Sequence, residues 1–142
     1  MKRKLVLAEW HKAQRALESA LVLSREGYRD DAISRAYYAI FHAAKTALQV
    51  KDVEANTHAA VRALFGLHLI KTKEIERAWS KSLATALDVR LSADYDAEAT
   101  FTARETHKAC RDARAFLGRI RAYLLEQSFT AAELRGRRPK HG

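Results

Sequence analysis

The run Asp31-Ala32-Ile33-Ser34-Arg35-Ala36-Tyr37-Tyr38-Ala39-Ile40-Phe41-His42-Ala43-Ala44 decides the fold class. Ile33, Tyr37, Ile40 and Ala44, continued by Ala47 and Leu48, recur every three or four residues and so form one continuous helical face. Asp30 and Asp31 stand at its start, where carboxylates accept orphan N–H groups and suit the positive end of the helix dipole.

The flanks read the same way. From Val6, the positions Trp10, Ala13, Leu17, Ala20 and Leu21 predict a helix that ends near Gly27, a residue able to take the positive φ of a closing turn. Val50 to Asn56 is polar and aperiodic and predicts a connection. Thr57 predicts the start of a third helix running toward His68, and Thr72 the start of a fourth carrying Ile75, Ala78, Trp79, Leu83, Ala86 and Leu87. After Arg90, Leu91 to Asp96 loses the helical period and predicts a loop.

Thr102-Ala103-Arg104-Glu105 is a capping box, in which the Thr and Glu side chains each satisfy one orphan N–H. The last long helix follows, with Cys110, Ala113, Leu117, Ile120 and Leu124 on one face. Thr130-Ala131-Ala132-Glu133 repeats the box and seeds a short terminal turn before Gly136 and Pro139. The composite is an all-α, antiparallel four- to five-helix bundle with short connections and neither repeat nor linker. One domain, 5–128, is expected between a basic N-terminal tail, 1–4, and a basic C-terminal tail, 129–142.

Composition agrees. The 142 residues suit one compact domain, and five Gly and one Pro are too few for the corners of a hairpin-rich β protein. The single cysteine, Cys110, excludes an internal disulfide. No apolar run reaches membrane-spanning length, and Met1 to Glu9 is interrupted too early for a signal peptide, so the expected location is the cytoplasm.

The net charge of +9 suggests nucleic acid, but Lys2, Arg3, Lys4, Arg135, Arg137, Arg138 and Lys140 supply most of it. Over residues 5–134, 19 bases face 17 acids. Such tails either neutralise phosphates or remain solvated ends. Metal ligation fails on inventory, since His107 and Cys110 have no further ligands at matched spacing. The scattered glycines form no phosphate-cradling loop. No metal or cofactor is expected.

What remains is Arg35, Tyr38 and His42. At about 100° per residue, Arg35 and His42 return to nearly the same face, with Tyr38 displaced from Arg35 by about 60°. An Arg, a Tyr and a His so placed can bind a phosphodiester: the guanidinium pairs with its oxygens, and an imidazole moves a proton near neutral pH. The bland alternative makes the aromatics core or interface packing and places Arg35 and His42 on a solvated face. In its strongest form Tyr37, Tyr38 and Phe41 serve a dimer interface.

The same run, with Thr57-His58 and Arg90-Leu91-Ser92-Ala93-Asp94-Tyr95, resembles the HEPN superfamily, and more narrowly the small stand-alone HEPN proteins found beside minimal nucleotidyltransferases. The likeness covers roughly residues 8 to 126. It implies an all-α bundle that forms a homodimer with a groove at the interface. It also implies metal-independent ribonuclease toxins held in check by the nucleotidyltransferase partner.

Family catalysis is usually assigned to an Arg followed, after four to six residues, by a His. Three pairs fit that spacing here, against about two expected by chance: Arg35 with His42, Arg62 with His68, and Arg135 with His141. Helix geometry favours the first. In many toxic members the pair precedes the final long helix, where this chain has Arg90 but places Tyr95 where a His would stand. A phenol is a poor base at neutral pH. The expected catalytic residues are therefore Arg35 and His42, with Tyr38, Arg90, Asp94 and Tyr95 contacting RNA or nucleotide. Arg90, Asp94 and Tyr95 can instead brace one another, and His58 reads as a structural group at a helix start. The alternative function is a non-catalytic module that binds a nucleotide or a partner protein.

Overall fold

The structure, a computed structural model, describes residues 1–98 and 100–136. Six helices follow in order: α1 Arg3–Arg25, α2 Arg29–Val50, α3 His58–Phe65, α4 Arg77–Tyr95, α5 Ala103–Glu126 and α6 Ala131–Arg135. The architecture is the all-α bundle that the periodicity predicts, with no strand among the described residues.

α2 is the axis. Twelve of its 22 residues are buried, and it packs against α1, α3, α4 and α5. Six of the twelve are alanines, Ala32, Ala36, Ala39, Ala43, Ala44 and Ala47, all at most 2% exposed. Such small side chains let neighbouring helices approach closely. Bulk comes from Ile40, Leu48, Phe65, Phe116 and Ile120, each at most 1% exposed. Burying a side chain of this size contributes about 1.5–3 kcal/mol. Tyr37 and Phe41 belong to this same core at 1% and 7% exposure, so they pack within the chain and not at an interface between copies.

α1 ends as read. Gly27 takes φ +83°, Tyr28 N–H donates to Leu23 O at 2.9 Å and Gly27 N–H to Ser24 O at 3.2 Å, the crossed pair that closes a helix on a left-handed residue. Both capping boxes form, Thr102 with Glu105 and Thr130 with Glu133.

Three boundaries differ. The third helix is α-helical only to Phe65 and widens into a π turn, Gly66–Ile70, closed by Lys71 N–H on Gly66 O at 2.9 Å. The fourth helix begins at Arg77, because Thr72 bends its hydroxyl onto His68 O and Leu69 O and finishes the π turn instead of capping a new helix. Leu91 to Tyr95 is no loop but the last turn of α4. There Arg90 Nε stands 2.9 Å from Asp94 Oδ2 across one helical turn, and Ser34 Oγ of α2 donates to Asp94 Oδ1 at 2.5 Å.

The tail boundaries also move. α1 already includes Arg3, whose guanidinium grips Glu133 through Nε at 2.8 Å and Nη2 at 2.7 Å. Phe129 and Leu134, placed in a tail by composition, are buried core residues at 3% and 1% exposure. Trp10 Nε1 and Gln14 Nε2 both donate to Leu134 O, at 2.9 and 2.7 Å, and so pin α6 across α1. The basic residues Arg137, Arg138 and Lys140, with His141 of the third Arg–His pair, lie outside the described residues. No described helix is long and apolar enough to cross a membrane.

Two outcomes follow from this clasp. Leu134→Ala should lower the unfolding free energy by about 2–5 kcal/mol in urea titrations, the usual cost of truncating a buried leucine. Arg3 and the backbone of Thr130 hold the Glu133 carboxyl down to about 2 from an ordinary 4.5. A depressed carboxyl contributes stability in full above its unfolded value and loses it as pH falls toward the folded one. Glu133→Gln should therefore melt below wild type at neutral pH, with the gap closing as pH drops from about 4.5 to about 2.

Candidate functional site

Side chains on α2 that do not enter the core emerge along a strip facing α1 and α4. Ser34, Arg35, Tyr38, His42, Lys45 and Gln49 follow one another at helical spacing, each partly or wholly exposed. Toward α1, a cavity of about 340 Å³ is lined by Lys12, Arg15, Ala16 and Ser19 of α1 with Arg35, Tyr38 and His42 of α2. The lining holds no carboxylate. Lys12, Arg15 and Arg35 make no ion pair among the described residues. Three uncompensated cations around one opening form a field that attracts anions. Arg35, Tyr38 and His42 thus meet as their spacing predicts.

Behind His42 lies Glu9, 7% exposed on the inner face of α1. His42 Nδ1 donates to Glu9 Oε2 at 2.7 Å, Lys45 Nζ stands 3.2 Å from Oε1, and Gln49 Nε2 reaches Oε1 at 3.4 Å. Burial opposes the charge on Glu9, but the His42 hydrogen bond and the Lys45 ammonium outweigh it and hold the carboxyl below its ordinary range.

On the α4 side, Tyr38 joins a second network. The Tyr38 hydroxyl accepts from Arg90 Nη2 at 2.9 Å, and the guanidinium sits 5.0 Å from the Tyr38 ring centroid and 5.5 Å from that of Tyr37. Arg90 is 9% exposed, and Asp94 beside it compensates the buried charge. Its Nε lies close enough to Asp94 for ion pairing but is not aligned to donate a hydrogen bond.

Arg90 Nη1 approaches His58 Nε2 at 3.3 Å. A guanidinium only donates, so His58 Nε2 carries no proton and Nδ1 does. Nδ1–H then donates to the Tyr37 hydroxyl at 2.5 Å. Burial, then the Arg90 charge, pushes the His58 pKa down, which favours the neutral ring. Burial pushes the Tyr37 phenol up to about 12, so it stays protonated.

Of the sequence-predicted residues, Arg90 therefore reaches Tyr38, and Asp94 braces Arg90. Tyr95 does not join them: it stands 76% exposed at the end of α4. The linear spacing missed Glu9, Lys12 and Arg15. Glu9 left a signal, because with Val6, Ala13, Ala16 and Ala20 it falls on the apolar face of α1, where a carboxylate has no reason to sit without partners. His58 is the structural group that its place at a helix start suggests, though its approach to Arg90 depends on how α3 and α4 pack.

A larger cavity of about 530 Å³ lies between α2, α4 and α5. Ile33, Ala36, Ile40, Ala86 and Val89 make its walls largely apolar, and Lys108 at its rim is tied to Asp112 at 2.7 Å. Its lining includes none of Arg35, His42 and Arg90.

Known proteins resemble this chain over most of its length. The chain is 33% identical over 114 residues to "Putative toxin MJ0605" of Methanocaldococcus jannaschii, covering 80% of this chain and 84% of that protein. It is 29% identical over 122 residues to "Putative toxin MJ0142" of the same organism, covering 86% and 83%. It is also 45% identical over 67 residues to "UPF0332 protein PH1297" of Pyrococcus horikoshii, covering 47% of each. The model of the HEPN domain matches residues 7–123, which take in the polar strip of α2, Glu9, His58 and Arg90. The chain belongs to the HEPN domain family.

Proposed function

We propose that this chain is the RNA-binding toxin half of a toxin–antitoxin pair, cuts RNA without a metal, and works as a homodimer opposed by a minimal nucleotidyltransferase. One observation carries the reading: Lys12, Arg15 and Arg35, with no ion pair among the described residues, surround a cavity whose lining also includes a tyrosine and a histidine and no carboxylate. A polyanion gains from each of those cations by counter-ion release. The toxin names of the two Methanocaldococcus jannaschii relatives support the biological setting. Leu91 and Tyr95, 42% and 76% exposed one turn apart on α4, offer apolar surface to a second copy.

The chemistry needs little else. Arg35 pairs with the phosphoryl oxygens and stabilises the charge that grows on them, while Tyr38 stacks on a base or donates to a phosphate oxygen. The RNA 2′-oxygen loses its proton and attacks phosphorus, the P–O5′ bond breaks and O5′ takes up a proton; His42 handles one of these two protons and water the other. The products are a 2′,3′-cyclic phosphate and a 5′-hydroxyl.

Labelled single-stranded RNA incubated with purified protein in excess EDTA should be cut to fragments ending in cyclic phosphate, and Arg35→Ala/His42→Ala should leave it whole. Cleavage by wild type and double variant alike would remove the assigned residues. Nucleotide binding with no cleavage by wild type would replace the ribonuclease with a non-catalytic binding module. Arg15→Ala should weaken RNA binding on all sequences and reduce the slope of log affinity against log salt by roughly one. An unchanged slope would take Arg15 out of the RNA path.

A further inference from the structure

Resting on the ribonuclease reading, we infer that Glu9 is a positioning residue of the site: its buried carboxylate holds the His42 imidazole by Nδ1 and leaves Nε2 as the atom that exchanges a proton with RNA. The geometry is that of a carboxylate–imidazole pair at the wall of an anion-attracting cavity. Nδ1–H donates to Oε2 at 2.7 Å, and Nε2 has no partner among the described residues. The ring is confined from other sides as well. Tyr38 stacks on it with centroids 6.3 Å apart and planes 26° apart, and Phe41 meets it nearly edge-on at 5.4 Å.

A salt bridge that only ties α1 to α2 needs no histidine, because Lys45 and Gln49 already supply donors to Oε1. Those two side chains line a different, smaller cavity with Val53 and Glu54. His42 alone among the three partners of Glu9 faces the cationic cavity. Lys45 has a distinct part in this division. With its ammonium on Oε1, the buried carboxylate keeps a counter-ion whether His42 is neutral or protonated. The imidazole can therefore cycle between its two states with Nδ1–H bound to Oε2 in both, and every proton gained or lost passes through Nε2.

The test is a double-variant cycle on RNA cleavage with the full chain, using wild type, Glu9→Gln, His42→Ala and Glu9→Gln/His42→Ala, each checked for native helicity and melting. Glu9→Gln should lower kcat on the order of 100-fold, the cost of a misaligned reacting group, with KM unchanged. In the His42→Ala background the same substitution should cost nothing more. Losses that multiply in the double variant, or a raised KM at constant kcat, would reduce Glu9 to a helix clamp and overturn the inference while leaving the ribonuclease reading intact. Absence of cleavage by wild type would overturn both. Imidazole ¹⁵N spectra of folded wild type add a measurement that needs no variant. Neutral His42 should be protonated on Nδ1, and protonation on Nε2 would overturn the inference even if Glu9→Gln does not fold.

Discussion

Everything in this molecule is arranged around a helix that has to be surrounded. α2 is buried along most of its circumference, and its alanines let α1, α3, α4 and α5 come close enough to do the burying. A helix enclosed in this way can carry polar groups only where two neighbours leave a seam. That seam is the strip from Ser34 to Gln49, and every candidate group on α2 stands on it. The location of the site is thus a by-product of core packing, and its chemistry depends on which side chains α1, α3 and α4 bring to the two edges.

Tyr38 is where those edges meet. On one side its ring stacks on His42, which is held from behind by Glu9. On the other its hydroxyl accepts from Arg90, which in turn occupies His58. The two histidines differ in consequence. His58 has both ring nitrogens engaged, one by Tyr37 and one by Arg90, whereas His42 has one engaged. A group with an unengaged nitrogen can exchange protons without breaking a structural contact.

Much of this was legible in the sequence, and the misses have physical causes. The periodicity of Ile33 to Leu48, the turn at Gly27 and both capping boxes are local signals, read by neighbours three or four residues away, and they survive into the structure unchanged. Leu91 to Tyr95 lost its apolar period and still stayed helical, because Asp94 is held by Arg90 and by Ser34 sixty residues earlier. Leu134 looked like part of a charged tail because its partners, Trp10 and Gln14, sit more than a hundred residues away. His58 at Arg90 and Glu9 at His42 are also tertiary facts. A motif defined by linear spacing searches for an Arg and a His on one helix, whereas packing brings such groups together from different ones.

The clasp of α6 on α1 also shapes how the chain comes into being. Trp10 and the carbonyl it binds are separated by 124 residues, so the contact closes only after Leu134 has been synthesised. Until then a nascent chain holds α1 with one flank of its apolar face, Trp10 included, still uncovered. Contacts of such long separation form late and carry a high loop-closure cost. Completion of the fold is therefore tied to synthesis of α6, and a chain truncated before Leu134 leaves the ribosome with an open apolar flank that chaperones and proteases recognise.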